Sequence, residues 1–347
     1  MRTGGAGRFA IFGWRPGWNA GGAPGSDRGD ETSPPHQEPW CQSALPRWYT
    51  HVPAGVAAGH AATPSDTSDG EWSLLAPLLP APAWQSGRGG RPEAHCRRAV
   101  VDAIRYVVHN GRVWRAVPAD FPPWRTVYGL FQRWNVTGVT IALHDALRGL
   151  ARRAAGRNTE PTAVVIDSPS VRAAATVPKA SRGWDNAKKV NGRKRHIAVD
   201  TGGLLLEVLA TPASVQDRDA ARPLLFNLHR GRRRVRHAWA DAVSAGKLQP
   251  WAATYLHLTV EIVRRPEGLH AFEVLPRRWV VERTLAWITS DRRCARDYER
   301  LPANHEATVY WAMITLMTRR LTRASSGWKQ PPSSTALWAG RTRPGRP

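Results

Sequence analysis

Apolar residues recur at helical spacing in two stretches of the first half of the chain. Residues 97–109 place their aliphatic side chains three or four positions apart, and Gly111 follows as a helix stop. Residues 124–135 gather their large apolar side chains on one face and leave Arg125 and Arg133 on the opposite face. The spacing therefore predicts two amphipathic helices, the second of which is basic on its outer side.

These two helices are separated by a turn that contains glycine and proline. A pair of short helices across such a turn, with a polar and basic second helix, is typical of a helix-turn-helix DNA-binding domain. A plain helical bundle with a solvated face fits the same pattern equally well. With a further helix predicted from a cap at Ser68 or Asp69 to Leu79, these elements form a predicted all-α domain over residues 68–153.

Beyond residue 160 the apolar residues form short runs that are typical of strands. Residues 163–166 lead directly into Asp167, and residues 235–240 lead directly into Asp241. Strands interleaved with helices predict an α/β domain over residues 160–322. Its other predicted elements are a β-hairpin formed by 196–200 and 204–210, a strand over 258–263, and helices over 218–229, 277–298 and 304–321.

Both ends of the chain have a different composition from the middle. Residues 1–67 are rich in Gly, Pro, Ala and Ser without periodicity, which predicts disorder or a segment that is not native to the fold, as after a start codon assigned too far upstream. Residues 323–347 are a Ser, Pro, Gly and Arg tail that we predict to be disordered.

The charge points to a polyanionic partner. The 347 residues contain 50 Lys and Arg against 27 Asp and Glu, a net charge of +23. Residues 1–65 hold five Arg and four acids, so the excess lies downstream. Nucleic acid and an anionic membrane surface are the candidate partners. Only six of the 50 cations are Lys, and the rest are Arg. The guanidinium group of Arg suits phosphate binding, but a GC-rich genome explains the excess of Arg more simply.

The cysteine content and the hydropathy restrict the compartment. Cys41, Cys96 and Cys294 are far apart and odd in number, so they form no disulfide framework and favour a reducing compartment. No run approaches the roughly 18 apolar residues of a membrane-spanning helix, and the N-terminus lacks an apolar signal core. We therefore expect a cytoplasmic protein without a membrane partner.

Three carboxylates are candidates for a metal site. Asp167 and Asp241 follow short apolar strands, and Glu282 lies on a predicted helix with Arg278 one turn before it and Arg293 about three turns after it. Carboxylate oxygens suit Mg²⁺, and a pair of such ions activates the attacking and stabilises the leaving oxygen of a phosphodiester. Taken singly, each acid is better explained as a surface carboxylate or as part of a helix ion pair.

Longer motifs make the pattern more specific. They lie, in order, at residues 71–147, 165–171 (VIDSPSV), 188–200 (KKVNGRKRHIAVD), 214–219 (SVQDRD), 239–241 (WAD), 275–284 (LPRRWVVERT) and 296–299 (RDYE). In this order they resemble the bacterial insertion-sequence DDE transposases, specifically the insertion-sequence-five group. The resemblance covers roughly residues 70–321.

The resemblance implies an RNase H-like fold and a transposase that binds the terminal inverted repeats of its element. It assigns Asp167, Asp241 and Glu282 as ligands of Mg²⁺ or Mn²⁺, with two ions, for DNA strand cleavage and strand transfer. A 3′-hydroxyl or water attacks phosphorus, so no protein nucleophile is required. The expected partners are double-stranded DNA, at the element ends and the target, and further copies of the chain in a nucleoid-associated complex.

A basic run adjoins the first aspartate motif. Lys188, Lys189, Arg193, Lys194 and Arg195 are predicted to bind the DNA backbone, which would make binding dependent on salt. A solvated charged turn is the alternative. The remaining predicted DNA contacts are Arg125, Arg133, Arg278 and Arg293.

The chain departs from the family pattern at three places, one of which is the segment of residues 1–67, for which the family has no counterpart. After Asp241 the family continues Gly-Gly-Tyr, whereas this chain has Ala242-Val243-Ser244. A related signature with Tyr, Arg, Glu and Lys is matched by Arg278 and Glu282 but not by Leu275 and Thr289. A catalytically impaired DNA-binding remnant is therefore the competing hypothesis, and a host nuclease of the same fold is a third.

Overall fold

A computed structural model of the chain describes residues 63–82, 93–241, 246–263 and 278–325. Nearly all of the N-terminal extension and of the predicted tail lies outside these ranges, as do Ala242-Val243-Ser244 and Leu275. The described residues belong to one compact unit.

The N-terminal part is helical, as predicted. Ser68 and Glu71 form a capping box that starts the first helix, which ends in a 3₁₀ turn beside Pro77. The second helix ends at Gly111, whose φ of 70° is the left-handed conformation that glycine adopts readily. A fourth helix had no counterpart among the predicted elements. The four helices are α1 (Asp69–Leu75), α2 (Arg97–Asn110), α3 (Trp124–Val136) and α4 (Val139–Ala154).

The second part contains a mixed β-sheet. Its strands are β1 (Ala163–Asp167), β2 (Ser170–Arg172), β3 (Gly183–Asp185), β4 (Val190–Asp200), β5 (Leu205–Pro212), β6 (His237–Ala240) and β7 (Thr259–Ile262). The strand order is β2-β4-β1-β6-β7, and β3 and β5 also pair with β4. The pairs β1–β6 and β6–β7 are parallel and the others antiparallel. The two strands that end in aspartates are therefore neighbours.

Helices cover both faces of the sheet. They are α5 (Asp217–Gly231), α6 (Leu248–Leu256), α7 (Arg278–Thr289), α8 (Arg292–Ala295) and α9 (Pro302–Ser325). Apolar residues of α5 and α6 pack on the face of Val164 and Ile166, whereas those of α7 and α9 pack on the face of Val165. The helical part shares this second core, in which Trp134 stacks on Trp311. The predicted architecture of a mixed sheet flanked by helices after a helical region is confirmed.

The two largest differences from the predicted boundaries lie in the second part of the chain. The helix predicted over 277–298 ends at Thr289, because Asp291 adopts an extended conformation and the chain restarts as the separate helix α8. Strand β4 begins at Val190 and not at 196, so the basic run forms the first half of a central strand. A run of charged residues is atypical of a buried strand, which is why the pattern did not indicate it.

Candidate active site

Asp167 and Asp241 lie side by side at one end of the sheet. Strands β1 and β6 are parallel, and Val165 is in register with Trp239. Each aspartate comes two residues after a member of that pair, so both lie at the same strand end and toward the same face. The parallel pairing of β1 and β6 therefore brings these two carboxylates together.

The electrostatics of Asp167 reflect this proximity. Burial raises the pKa of Asp167, and the Asp241 carboxylate raises it further. The Ser168 amide and the positive charges of Arg278 and Lys188 act in the opposite direction. Two carboxylates and two cations therefore share one local field, in which a cation bound between the acids would relieve their repulsion.

Glu282 lies on the helix that covers the same face. Helix α7 packs on the sheet through Val280 and Val281, which are 6% and 0% exposed, while Glu282 itself is exposed. Within the described ranges, no three His, Cys, Asp or Glu side chains are grouped closely enough to hold a metal ion. The structure thus brings two of the three predicted ligands together and leaves the third on the adjoining helix.

The aspartate pair fits a hard divalent cation. Its donors are carboxylate oxygens, the type that Mg²⁺ and Mn²⁺ prefer, and rigid neighbouring strands carry them. Such ions keep several positions for water and phosphate, so two close protein ligands and a more distant third are compatible with binding.

Lys188 is placed directly beside the first aspartate. Its Nζ donates to the Ser168 carbonyl at 2.7 Å, and the side chain is exposed. Lys189 is also exposed and adopts a φ of 54° in the turn between β3 and β4. Both lysines can reach an approaching polyanion, and their DNA contacts stay predictions, as does that of Arg278.

The other three cations of the basic run are buried, and their predicted DNA contacts were wrong. Arg193 is 0% exposed and pairs with Asp297 at 2.9 Å. Lys194 pairs with Asp217 at 2.9 Å, and Arg195 donates to the Cys294 carbonyl at 2.9 Å. Side chains that are enclosed and bonded within the fold cannot meet DNA phosphates. The alternative of a solvated turn was also wrong for these three.

Arg293 is likewise internal. With helix α7 ending at Thr289, Arg293 no longer continues the face of Glu282 but points into the protein. Its guanidinium bonds to Glu299 at 2.7 Å and lies over the ring of Trp114 at 5.5 Å. The predicted role of Arg293 in DNA binding is corrected to a structural one.

Arg125 and Arg133 lie exposed on the outer face of α3, two helical turns apart. They border a groove of about 370 Å³, and Gly129 lies between them. The opposite wall is formed by residues 93–95, where Glu93 is neutralised by Arg97 at 2.7 Å. The groove has the basic character that the prediction required, and its DNA contacts stay predictions.

Comparison with known proteins gives the family. Residues 67–144 match the profile described as "Putative transposase of IS4/5 family", and residues 158–317 match the transposase DDE domain. A 16.2 kDa uncharacterized protein of insertion element IS402 from Burkholderia cepacia is 30% identical over 104 residues, 29% of this chain and 69% of that protein. The chain belongs to the IS4/IS5 family of DDE transposases. The DDE domain carries an RNase H-like fold, and the family implies a DNA substrate.

The transposase holds the loop after Asp167 with a buried histidine. His196, 0% exposed, contacts the Ser168 hydroxyl through Nδ1 at 2.6 Å and the Thr211 hydroxyl through Nε2 at 2.8 Å. Burial, with the nearby lysines, lowers the pKa of His196 to about 4, so the ring is neutral at physiological pH.

Asp200 shapes the turn between β4 and β5. Its side chain accepts from the amides of Gly202 and Leu204 at 2.8 and 2.9 Å and pairs with Arg152. This closes the β4–β5 hairpin of the transposase, on which Arg283 and Thr284 of α7 dock through hydrogen bonds to the Gly202 and Gly203 carbonyls.

Across the described parts of the chain, no helix is both long and apolar enough to cross a membrane.

Proposed function

We propose that this protein binds the terminal inverted repeats of its insertion sequence and catalyses DNA strand cleavage and strand transfer there. The observation that carries the proposal is the parallel β1–β6 pair, which sets Asp167 beside Asp241 under the helix that bears Glu282. Two carboxylates on rigid strands and a third on a covering helix are the arrangement that metal-assisted phosphodiester chemistry requires.

Asp167, Asp241 and Glu282 would hold the divalent cations, for which we propose two ions. When bound, these cations supply Lewis acidity to the phosphodiester and to the attacking hydroxyl. The chain's own part is to fix the substrate: Lys188 and Arg278 flank Asp167 and attract the scissile phosphate. Neutral His196 keeps Ser168, and with it the end of β1, in one position.

We assign recognition of the element ends to the helical part. The exposed face of α3 carries Arg125 and Arg133 along a groove, which suits contact with a DNA backbone. We also propose that several copies of the chain act together in the DNA complex, because cleavage and transfer involve two element ends. Such a complex would reside on the DNA of the bacterial nucleoid.

The test is strand nicking of a labelled duplex that carries the element's end, with Mg²⁺ or Mn²⁺. We expect cleavage by the wild type, loss of cleavage in Asp167→Asn and Asp241→Asn, and retention in Asp219→Asn, whose exposed side chain lies on α5. Equal cleavage by the wild type and by Asp167→Asn would remove Asp167 from the reaction and overturn the proposal.

A second candidate is a DNA-binding remnant with impaired catalysis. It is favoured by the exposure of Glu282 and by Ala242-Val243-Ser244 in place of Gly-Gly-Tyr. Band-shift binding to the element end without cleavage, followed by cleavage after Ala242→Gly, Val243→Gly and Ser244→Tyr are combined, would support it. Cleavage by the unmodified chain would exclude it.

A further inference from the structure

The β3–β4 hairpin carries an exposed tryptophan beside a pocket. Trp184 is paired with Asn191 across the hairpin, and 48% of its surface is exposed. The pocket has a volume of about 330 Å³. We call it the Trp184 pocket; it is lined by Arg172, Ala173, Arg182, Trp184, Lys189 and Asn191.

The Trp184 pocket is cationic without an acidic counterpart in its lining. It contains two arginines and one lysine, and Arg172 and Lys189 are exposed. The nearest acid in sequence, Asp185, is buried and accepts hydrogen bonds from the Ser170 hydroxyl and the Lys188 amide. An aromatic plane surrounded by cations suits a ligand that combines a flat ring with negative charge.

The pocket adjoins the aspartate pair through one turn of chain. Lys188 and Lys189 are consecutive: the first bonds the Ser168 carbonyl next to Asp167, and the second lines the Trp184 pocket. A strand of DNA that leaves the carboxylates along this hairpin would therefore meet the pocket next. Geometry and charge together favour the substrate strand as the occupant.

We propose that the Trp184 pocket binds an unpaired nucleotide of the DNA strand, with its base stacked on Trp184 and its phosphates on Arg172, Arg182 and Lys189. A paired base is covered by its neighbours in the duplex, so an aromatic platform of this kind can reach only an unpaired one. The inference rests on the proposed function, because it takes the substrate strand as the ligand.

The experiment measures binding of two fluorescent probes to the full chain by anisotropy: oligothymidylate of about 12 nucleotides, within the usual site size of single-strand binders, and a duplex of equal length. Trp184→Ala should weaken oligothymidylate binding by about 5- to 150-fold, the range measured for base stacking, and change duplex binding little. Trp184→Phe should restore most of the affinity. Phe226→Ala, which removes an equally exposed aromatic on α5 (48%), is the matched control.

A second variant tests the phosphate contacts. Lys189→Gln should reduce the salt dependence of oligothymidylate binding by about 0.7 in the logarithmic slope, which is the loss of one phosphate contact to a single strand. Unchanged oligothymidylate affinity in Trp184→Ala, or equal losses for both probes, would overturn the proposal. Thermal unfolding of each variant shows that the fold is retained.

The same probes separate this inference from the proposed function. Asp167→Asn should lose cleavage. Its affinity for oligothymidylate should stay higher than that of the Trp184→Ala variant. If the wild type fails to cleave but Trp184→Ala still loses oligothymidylate selectively, the cleavage proposal fails and the pocket assignment stands.

Discussion

Arg193 and Asp297 form a fully enclosed ion pair, with 2.9 Å between Nη1 and Oδ2 and no exposed surface on either side chain. Burial acts to raise the pKa of Asp297, but His305, the Glu299 amide and Arg193 outweigh it and hold that pKa below its usual value. The pair joins the central strand β4 to the segment that follows α8. Arg193, which the basic motif predicted to bind DNA, thus stabilises the fold of the DDE domain.

Truncating this arginine should destabilise the protein. Arg193→Ala leaves Asp297 buried without its partner and removes donors to the Ser181 and Glu299 carbonyls, so we expect a loss of about 3–5 kcal/mol in the free energy of unfolding. Urea denaturation measures it. Lys189→Ala, an exposed change on the same hairpin, should cost less than about 0.5 kcal/mol. Equal midpoints for the two variants would contradict the structural role.

The exposed arginines of α3 should contribute to DNA binding through phosphates. Arg125→Ala and Arg133→Ala should each weaken binding of an end-containing duplex and lower the slope of log K against log salt by about 0.9. Arg153→Ala, which removes an exposed arginine from the end of α4, should leave the slope unchanged. Anisotropy titrations over a range of salt concentrations test this, and an unchanged slope in both α3 variants would argue against the groove as a DNA contact.

Two acids between β5 and α9 should make stability fall as pH rises. Burial raises the pKa of Glu207 and of Glu306 to about 7, and the neighbouring Glu306 charge contributes to the shift of Glu207. The folded state then binds more protons than the unfolded state between about pH 4.5 and 7. The stability that these groups contribute is therefore present below pH 4.5 and is lost as the pH rises through 7, by up to about 3 kcal/mol for each group.

Glutamine substitution tests this pair. Glu207→Gln should match the wild type at pH 4 and exceed its free energy of unfolding at pH 8, as measured by urea titration, while Asp219→Asn follows the wild-type curve. Buried His196, with a pKa of about 4, acts in the opposite direction at lower pH, but it is common to all three proteins and cancels in the comparison. A Glu207→Gln curve parallel to that of the wild type would refute the shift.

Two glycines should respond oppositely to alanine. A Cβ at Gly192 on β4 would overlap the Val171 carbonyl oxygen, so Gly192→Ala should prevent close pairing of β2 and cost several kcal/mol. A Cβ at Gly129 on α3 meets nothing within 4 Å, so Gly129→Ala should stabilise the protein by up to about 1 kcal/mol. Thermal melting of the two variants distinguishes them, and a stabilised Gly192→Ala would contradict the pairing of β2 with β4.

The sequence was most informative where apolar spacing alone sets the local structure. Helices α2 and α3 and strand β1 formed within a residue of their predicted ends, because helical periodicity and strand runs are local properties. The motif order also identified the family before any geometry was known. The strand-end positions made Asp167 and Asp241 candidates, and the resemblance assigned them to one site; the parallel pairing of β1 and β6, which only the structure shows, sets them beside each other.

The tertiary structure decided which charged residues face solvent. The five cations between Lys188 and Arg195 carry the same charge, yet the two lysines at 188 and 189 are exposed and the three cations at 193–195 are buried. The difference arises because β4 becomes a central strand where the hairpin ends. Arg293 is also buried and has a structural role, because the helix that carries Glu282 ends at Thr289. The sequence by itself determines the charge of a residue and the periodicity of its segment. Whether a charged side chain is buried depends on a distant segment, such as that of Asp297, which supplies an ionic partner that offsets the cost of desolvation.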